Sequence, residues 1–157
     1  ILLPNKFRAE PDRPIVRFGD NIIIYSQELN EEGVPTGISY VGVYKDDSLV
    51  NEINMDDFTI LESYVYDNKL YLLGDGGMIK IYDSNYQLVA NHKLNIDGII
   101  RKIYFKDNYV YIAIYGNDNK MHIHKYKLDS GILLENYEIP YPSVIDWDVE
   151  NFSFIPI

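Results

Sequence analysis

The stretch DNKLYLLGDGGMIKIYD, residues 67–83, sets the pattern that the rest of the chain follows. It opens with an Asp-Asn turn pair, continues with an apolar run of strand length, and turns again at GDGG, residues 74–77. The closing MIKIYD, residues 78–83, alternates between two faces with the period of a β-strand. The stretch therefore predicts two antiparallel strands joined by a tight turn.

The same arrangement recurs along the chain. Asparagines at positions 21, 68, 108 and 151 each open an apolar run, and successive positions are 47, 40 and 43 residues apart. A strand pattern precedes each of these asparagines. In the first three copies two further strand patterns follow the apolar run. Each copy thus predicts a four-stranded meander of about 40 residues, which is the repeat length of β-propeller blades.

These repeats predict an all-β fold built from propeller-like, four-stranded antiparallel units. Residues 1–14 are expected to form an extended arm or linker, since Pro4, Pro11 and Pro14 argue against a regular strand there. The alternative is a β-sandwich or barrel of ordinary meander strands. The repeat region is expected over 15–157, with units at about 15–56, 60–95 and 99–140 and half a unit at 144–157.

Three and a half units are fewer than the four to eight blades of closed propellers. The chain is expected either to be part of a larger propeller or to be completed by a second copy through residues 144–157. A third solution is a missing strand supplied by residues 1–7, ILLPNKF. The sequence leaves these three alternatives open.

The last full unit resembles the repeat of PQQ-like, quinoprotein-type β-propellers. The resemblance is carried by Val110, Tyr111 and Leu133 on strands and by the turn Asp129-Ser130-Gly131. The other two units match more loosely, with Asn85 where Gly is usual, and the Trp common on the last strand of such repeats is absent. The resemblance implies a propeller architecture. It says nothing about a quinone cofactor, because most propellers with this repeat bind none.

Composition narrows the classes of partner. The formal net charge of −10 would repel a nucleic-acid backbone, so no nucleic-acid partner is expected, and cationic partners or simple solubility are the better explanations of the charge. The partners that we expect are protein or carbohydrate. The absence of Cys excludes disulfides and thiolate metal sites. No apolar run reaches the roughly 20 residues needed to span a bilayer. An extracellular, periplasmic or cell-surface location is expected, as part of a longer chain or of a homo-oligomer.

Few residues point to chemistry. His122 and His124 are two apart on a predicted strand and are therefore the candidates for a metal site, although two solvent-facing imidazoles are the simpler interpretation. Acidic turns at 82–85 and 115–120 lack the pattern of a calcium loop and are explained as turns. No nucleophile motif surrounds any Ser. We therefore expect no catalytic residues and no cofactor.

Aromatic residues beside charges are the stronger signal. Tyr64, Tyr104 and Trp147 occupy similar places on the first strand of their units, and in a propeller that strand lines the central channel. Aromatic faces next to hydrogen-bonding groups suit sugars or peptides, although packing between blades is the simpler explanation. The candidate ligand-binding residues are Arg17, Glu62, Tyr64, Arg101, Tyr104, Asp146 and Trp147.

The sequence as a whole favours a non-catalytic recognition module for a protein or glycan ligand. The alternative is a structural subunit that assembles through complementary strand edges. A glycosidase or lyase is a third hypothesis, and it requires two carboxylates that face one pocket.

Overall fold

The computed structural model describes residues 16–55 and 58–139, apart from the side chain of Ser26. The chain divides into two compact units after Asn91. Except for the last two residues of one strand, the first unit holds two sheets and the second unit holds a third. In the described part no helix combines the length and the apolar character needed to cross a membrane.

The first sheet has four antiparallel strands in chain order, as predicted. Alternating residues of its two central strands point to one side, where Ile23 lies opposite Val43 and Tyr25 opposite Val41. All four of these side chains are buried. Strands β1 to β4 span Val16–Phe18, Asn21–Leu29, Pro35–Lys45 and Ser48–Met55.

The second sheet repeats this order. A single 3-10 turn at Asp75–Gly77 joins its two central strands, and Gly76 adopts a φ of 79° that glycine accommodates without strain. The GDGG signal is thus confirmed as a turn. Strands β5 to β8 span Ile60–Tyr66, Lys69–Gly74, Met78–Tyr82 and Leu88–Lys93.

The third sheet is again a four-stranded antiparallel meander. The twelve strands within residues 16–55 and 58–139 confirm the predicted all-β class and the predicted order within each repeat. The fourth, partial unit at 144–157 and the arm at 1–14 lie outside the described residues. Strands β9 to β12 span Gly98–Lys106, Tyr109–Gly116, Met121–Lys127 and Leu133–Glu138.

The first turn differs from the predicted alignment by one residue. In the second and third sheets the Asp-Asn pair forms the two-residue turn, because Tyr66 pairs with Lys69 and Lys106 with Tyr109. In the first sheet Phe18 pairs with Asn21, so the turn is Gly19-Asp20. Gly19 supplies the positive φ of 59° that the turn needs, and it moves the turn one position earlier.

The core of the first unit lies between its two sheets. Ile23 and Val43 of the first sheet belong to one buried cluster with Leu70, Leu72 and Tyr82 of the second. A buried hydrogen bond joins the two sheets, since the hydroxyl oxygen of Ser39 accepts from the backbone N–H of Ile60 at 3.2 Å. In this unit, one sheet therefore covers the inner face of its neighbour.

A bulge at the same repeat position supports the equivalence of the second and third units. In β5 the pairing skips Leu61, and in β9 it skips Arg101. The next residue, Glu62 or Lys102, pairs with the fifth residue of the following strand, which is Leu73 in β6 and Ala113 in β10. The two bulges therefore occupy the same position in the repeat. Bulges bend a strand locally, and their recurrence indicates that both first strands curve in the same way.

Candidate functional site

The predicted channel residues lie on the first strands, and each first strand is an edge of its sheet. Arg17 on β1 is exposed, and its Nε donates to the carbonyl oxygen of Gly19 at 3.2 Å. Glu62 on β5 is half-buried, and Arg101 on β9 is exposed at the bulge. Asp146 and Trp147 lie outside the described residues.

Tyr64 and Tyr104 occupy equivalent positions. Tyr64 pairs with Tyr71 across the second sheet, with ring centroids 6.3 Å apart and ring planes at 47°. Tyr104 pairs with Tyr111 across the third sheet, at 6.2 Å and 42°. Tyr64 also stacks on Tyr66 at 6.2 Å. Each of the two rings therefore packs on aromatic neighbours of its own sheet, and its role in binding a ligand stays a prediction.

The histidine pair is the centre of a more complete constellation. The sequence suggested solvent-facing imidazoles, but the side chain of His122 is only 16 % exposed and His124 is half-buried. Both lie on β11 with ring centroids 6.1 Å apart. Both imidazoles are therefore partly buried, and their hydrogen bonds determine which nitrogen of each ring carries a hydrogen.

The tautomer of His124 follows from its neighbours. The Tyr126 hydroxyl donates its one hydrogen to the backbone carbonyl oxygen of Asn95 at 3.2 Å, because a carbonyl can only accept. The same hydroxyl lies 2.8 Å from His124 Nδ1 and must accept a hydrogen from it. His124 Nε2 is then an acceptor in the neutral ring. Burial, and next the charge of His122, lower the pKa of His124, which favours this neutral form.

Asp118 fixes the other imidazole. Its Oδ2 accepts from His122 Nε2 at 2.8 Å, and its Oδ1 accepts from the backbone N–H of Lys120 at 3.0 Å. The hydrogen bond from His122 is the main cause that lowers the pKa of the Asp118 carboxyl. Asp118 is consequently an ionised acceptor over the whole neutral range of pH.

Glycine makes this approach possible. A Cβ added to Gly116 would lie 2.6 Å from Asp118 Oδ1 and 3.1 Å from His122 Cδ2. Gly116 pairs with Gly98 at the end of the sheet, and a Cβ there would meet the backbone of Tyr115. The absence of a side chain at Gly116 leaves room for the carboxylate and the imidazole, and its absence at Gly98 lets the two paired backbones approach closely.

These residues line an open cavity of about 230 Å³, which we call the His122 cavity. Asp97 lies just before β9, and its Oδ1 accepts a hydrogen bond from Asn117 Nδ2. Asn136 on β12 pairs across the sheet with His124. The lining of the cavity therefore combines carboxylate, amide and imidazole side chains. It is lined by Asp97, Ile114, Gly116, Asn117, Asp118, His122, His124 and Asn136.

The sequence identified only part of this cavity. The spacing of two residues found His122 and His124, and the acidic turn at 115–120 was noted beside them. Asn136 and Asp97 were missed. Asn136 could have been found from the register of β11 against β12, whereas Asp97 comes from a separate loop with no motif of its own.

With the geometry in hand, comparison with known proteins identifies the fold. No family model and no curated protein matches the chain. Among solved structures, the WD40 β-propeller domain of Doa1 is similar over 79 % of this chain and 38 % of its own, at 17 % identity and a TM-score of 0.53. The fold is of the β-propeller type. A structure of HIRA residues 644–1017 is similar over 72 % and 33 %, at 11 % identity and a TM-score of 0.44.

The propeller fold places no particular chemistry in the His122 cavity, because function belongs to sites and not to folds. Over residues 16–55 and 58–139, no group of three or more His, Cys, Asp or Glu side chains is arranged to hold a metal ion. Each imidazole already has one nitrogen in a hydrogen bond with a protein neighbour. The cavity is an acceptor-rich pocket.

A second cavity of about 190 Å³ lies in the first unit, among the turns. Asn21 Nδ2 donates to the Tyr86 hydroxyl there at 2.7 Å, and Phe18 packs edge-on against Tyr86 at 5.7 Å. Lys45 and Asp20 also line it. Its polar groups come from turns and strand ends and include no histidine, so the His122 cavity is the better candidate for a binding site.

Proposed function

We propose that the chain is a non-catalytic recognition module that binds a polypeptide partner at the His122 cavity. The observation that carries the proposal is the set of acceptors around it. The carboxylates of Asp97 and Asp118 accept hydrogen bonds from neighbouring side chains, and Nε2 of neutral His124 has a lone pair that can accept one. An acceptor-rich pocket on an acidic chain favours a ligand group that donates hydrogen bonds and carries positive charge, such as an arginine or lysine side chain.

The enzyme hypothesis is less consistent with the same residues. A glycosidase needs a carboxylic acid with a raised pKa beside a second carboxylate. The cavity does hold two carboxylates, Asp97 and Asp118. The pKa of Asp118 is lowered rather than raised, because His122 donates to it. Asp118 is therefore suited to bind a cation and not to protonate a leaving group.

The type of repeat is also part of the proposal. We infer a PQQ-like repeat from the turn Asp129-Ser130-Gly131, in which Gly131 has a φ of 70° and its N–H donates to the carbonyl oxygen of Lys127 at 2.8 Å. The Ser130 hydroxyl accepts from the N–H of Ile132 at 3.4 Å. These contacts give Ser130 and Gly131 of the Asp-Ser-Gly sequence definite places in the turn. An extracellular, periplasmic or cell-surface location remains a prediction of the sequence.

A peptide array and a glycan array, probed with the purified chain, test the function. We expect binding to peptides that contain arginine or lysine and no binding to glycans. Replacing the arginine by citrulline, which keeps the shape and loses the charge, should abolish the signal. Binding confined to glycans, or conversion of any arrayed compound, would contradict the proposal.

Two matched variants assign the binding to the cavity. Asp118→Asn removes one acceptor charge, and a charge-assisted hydrogen bond of this kind corresponds to roughly a tenfold or larger loss in affinity. Asp129→Asn removes the same charge from an exposed carboxylate that is paired only loosely with Lys127, at 3.9 Å. Equal losses from both variants would show general charge attraction and would overturn the assignment to this site.

A structural role is the second candidate, and exposed apolar side chains on the outer strands favour it. On β12 every residue is exposed, and Leu133, Leu134 and Tyr137 are 42 %, 45 % and 51 % exposed. Unpaired strand edges with apolar side chains invite pairing with another chain. Light scattering after size exclusion distinguishes the roles, because a fixed oligomer that Leu134→Lys dissociates would favour assembly.

A further inference from the structure

One face of the third sheet concentrates lysine and tyrosine side chains. Every second residue of β10 points to the same side of the sheet, and the residues that pair with it on the neighbouring strands point to that side as well. Tyr109 lies between Lys106 and Lys127, and Tyr111 lies opposite Lys125. Ala113 lies opposite Lys102. We call this surface the tyrosine-lysine face, defined by Lys102, Lys106, Tyr109, Tyr111, Lys125 and Lys127. Glu135 of β12 pairs with Lys125 and adds one acidic side chain on the same side, so the lysines still outnumber it.

The face presents positive charge in a fixed position. Lys125 Nζ lies 4.4 Å from the ring centroid of Tyr109 and 5.6 Å from that of Tyr111. Both distances are within the range of cation–π attraction. The ammonium group is therefore held over the rings, so an anionic partner would meet a partly ordered charge.

The equivalent face of the first sheet shows what such a surface does in this chain. By the register, Tyr111 and Lys125 correspond to Ile23 and Val43. Ile23 and Val43 are completely buried in a cluster shared with the following sheet. Tyr111 and Lys125 are only half-buried. The side of the third sheet that corresponds to the buried side of the first sheet thus has a lysine where the first sheet has a valine.

We propose that the tyrosine-lysine face binds residues 144–157 of the same chain. This segment, VIDWDVENFSFIPI, has three acidic side chains, Asp146, Asp148 and Glu150, and no basic one. It also has the apolar side chains that would cover tyrosine rings. The opposite charges of the face and the segment favour their association, and like charges would disfavour a basic segment at the same surface.

The other end of the chain is a poorer match. Residues 1–15 carry Lys6, Arg8 and Arg13 against Glu10 and Asp12, so their net charge is positive like that of the face. The C-terminal segment also has sufficient reach. Five residue steps from Ile139 to Val144 span about 16 Å when extended, and a four-stranded sheet is about 14 Å wide. Residue 144 can therefore reach any strand of the third sheet.

The single tryptophan of the chain, Trp147, makes the proposal measurable in the intact protein. We expect Trp147 emission to be shifted to the blue, and shielded from acrylamide, relative to the same protein in urea. Lys125→Glu should shift the emission to the red, because loss of a charge-assisted contact lowers the ratio of bound to unbound segment roughly tenfold or more. Asp146→Lys combined with Lys125→Glu should restore the shift in part.

Controls separate this contact from general effects. Lys93→Glu changes the net charge equally at an exposed position off the face and should leave the emission unchanged. In the unmutated protein, salt near 1 M shortens the screening length to about 3 Å and should shift the emission partly to the red without unfolding. This result does not depend on whether Lys125→Glu folds.

Three outcomes would overturn the proposal. The first is a Trp147 that is as accessible in native buffer as in urea. The second is an equal response to Lys93→Glu and Lys125→Glu. The third is an emission that changes with protein concentration, which would assign the face to a second copy of the chain.

Discussion

His124 Nδ1 donates to the hydroxyl of Tyr126 at 2.8 Å, and Tyr126 donates in turn to the backbone carbonyl oxygen of Asn95 at 3.2 Å. This chain of donors runs from β11 into the loop that precedes β9. It sets the tautomer of His124 and thereby makes Nε2 the acceptor of the neutral ring. Tyr126 is 1 % exposed, and burial raises its pKa to about 12, so its hydroxyl stays protonated.

Tyr126→Phe tests that chain. The substitution leaves the His124 Nδ1–H and the Asn95 carbonyl without their partner, and a buried polar group without one costs about 1–3 kcal/mol. We expect the free energy of unfolding to fall by that amount. Nitrogen NMR of the imidazole should also show the second tautomer of His124. An unchanged tautomer would mean that another group holds the ring.

The stability of the fold should decrease in mild acid because of His124. Burial and the charge of His122 lower its pKa below the ordinary value of 6.5, so the unfolded chain binds this proton more readily than the folded chain. Stability is then unaffected above 6.5 and falls as the pH drops below it. The titratable groups around the ring are His122, Tyr126 and the two cavity carboxylates, Asp97 and Asp118.

The comparison of His124→Gln with the unmutated protein isolates that contribution. Gln cannot take up a proton in this range, so the drop in the urea midpoint between about pH 7.5 and about pH 5.5 should be smaller in the variant. Asp118 affects stability over a different range of pH. Because the pKa of its carboxyl is lowered in the folded chain, its contribution to the free energy of unfolding is lost only as the pH falls below 3.8. Identical slopes for both proteins would refute the role assigned to His124.

Gly131 and Gly33 form a matched pair for a backbone prediction. Their φ angles are 70° and 78°, and a side chain at either position is strained by about 1–2 kcal/mol. A Cβ at Gly131 would in addition lie 2.9 Å from His92 Cβ, whereas a Cβ at Gly33 would meet nothing within 4 Å. We expect Gly131→Ala to lower the melting temperature more than Gly33→Ala. Equal effects would show that His92 moves aside at no cost.

Ser39→Ala should weaken the contact between the two sheets of the first unit. Ser39 is 1 % exposed, and its hydroxyl is a partner of the Ile60 N–H. The substitution removes this buried hydrogen bond to the Ile60 N–H. The free energy of unfolding, measured in urea, should fall by about 1–3 kcal/mol. Ser48→Ala, on an exposed strand end, is the control and should change stability by less than about 0.5 kcal/mol.

Local sequence determined the strands and their turns. Two local features predict them: side chains that alternate along each strand, and turn signals such as Asp-Asn, Gly and Asp-Ser-Gly. Both features depend only on the backbone conformations of neighbouring residues, so each of the twelve described strands could be predicted from its own segment. The one misplaced turn, at Gly19-Asp20, illustrates the limit. Gly19 and Asp20-Asn21 both form turns readily, and only the pairing of Phe18 with Asn21 distinguishes them.

Tertiary structure decided the site. His122 and His124 were visible as a pair. Asp97, Tyr126 and Asn136 join them only because β9 to β12 pair in one register and Gly116 leaves space for Asp118 and His122. A hydrogen-bond network depends on which side chains meet across strands, and that depends on register and close packing. Sequence spacing reports neither, which is why the strands could be predicted from the sequence and the cavity could not.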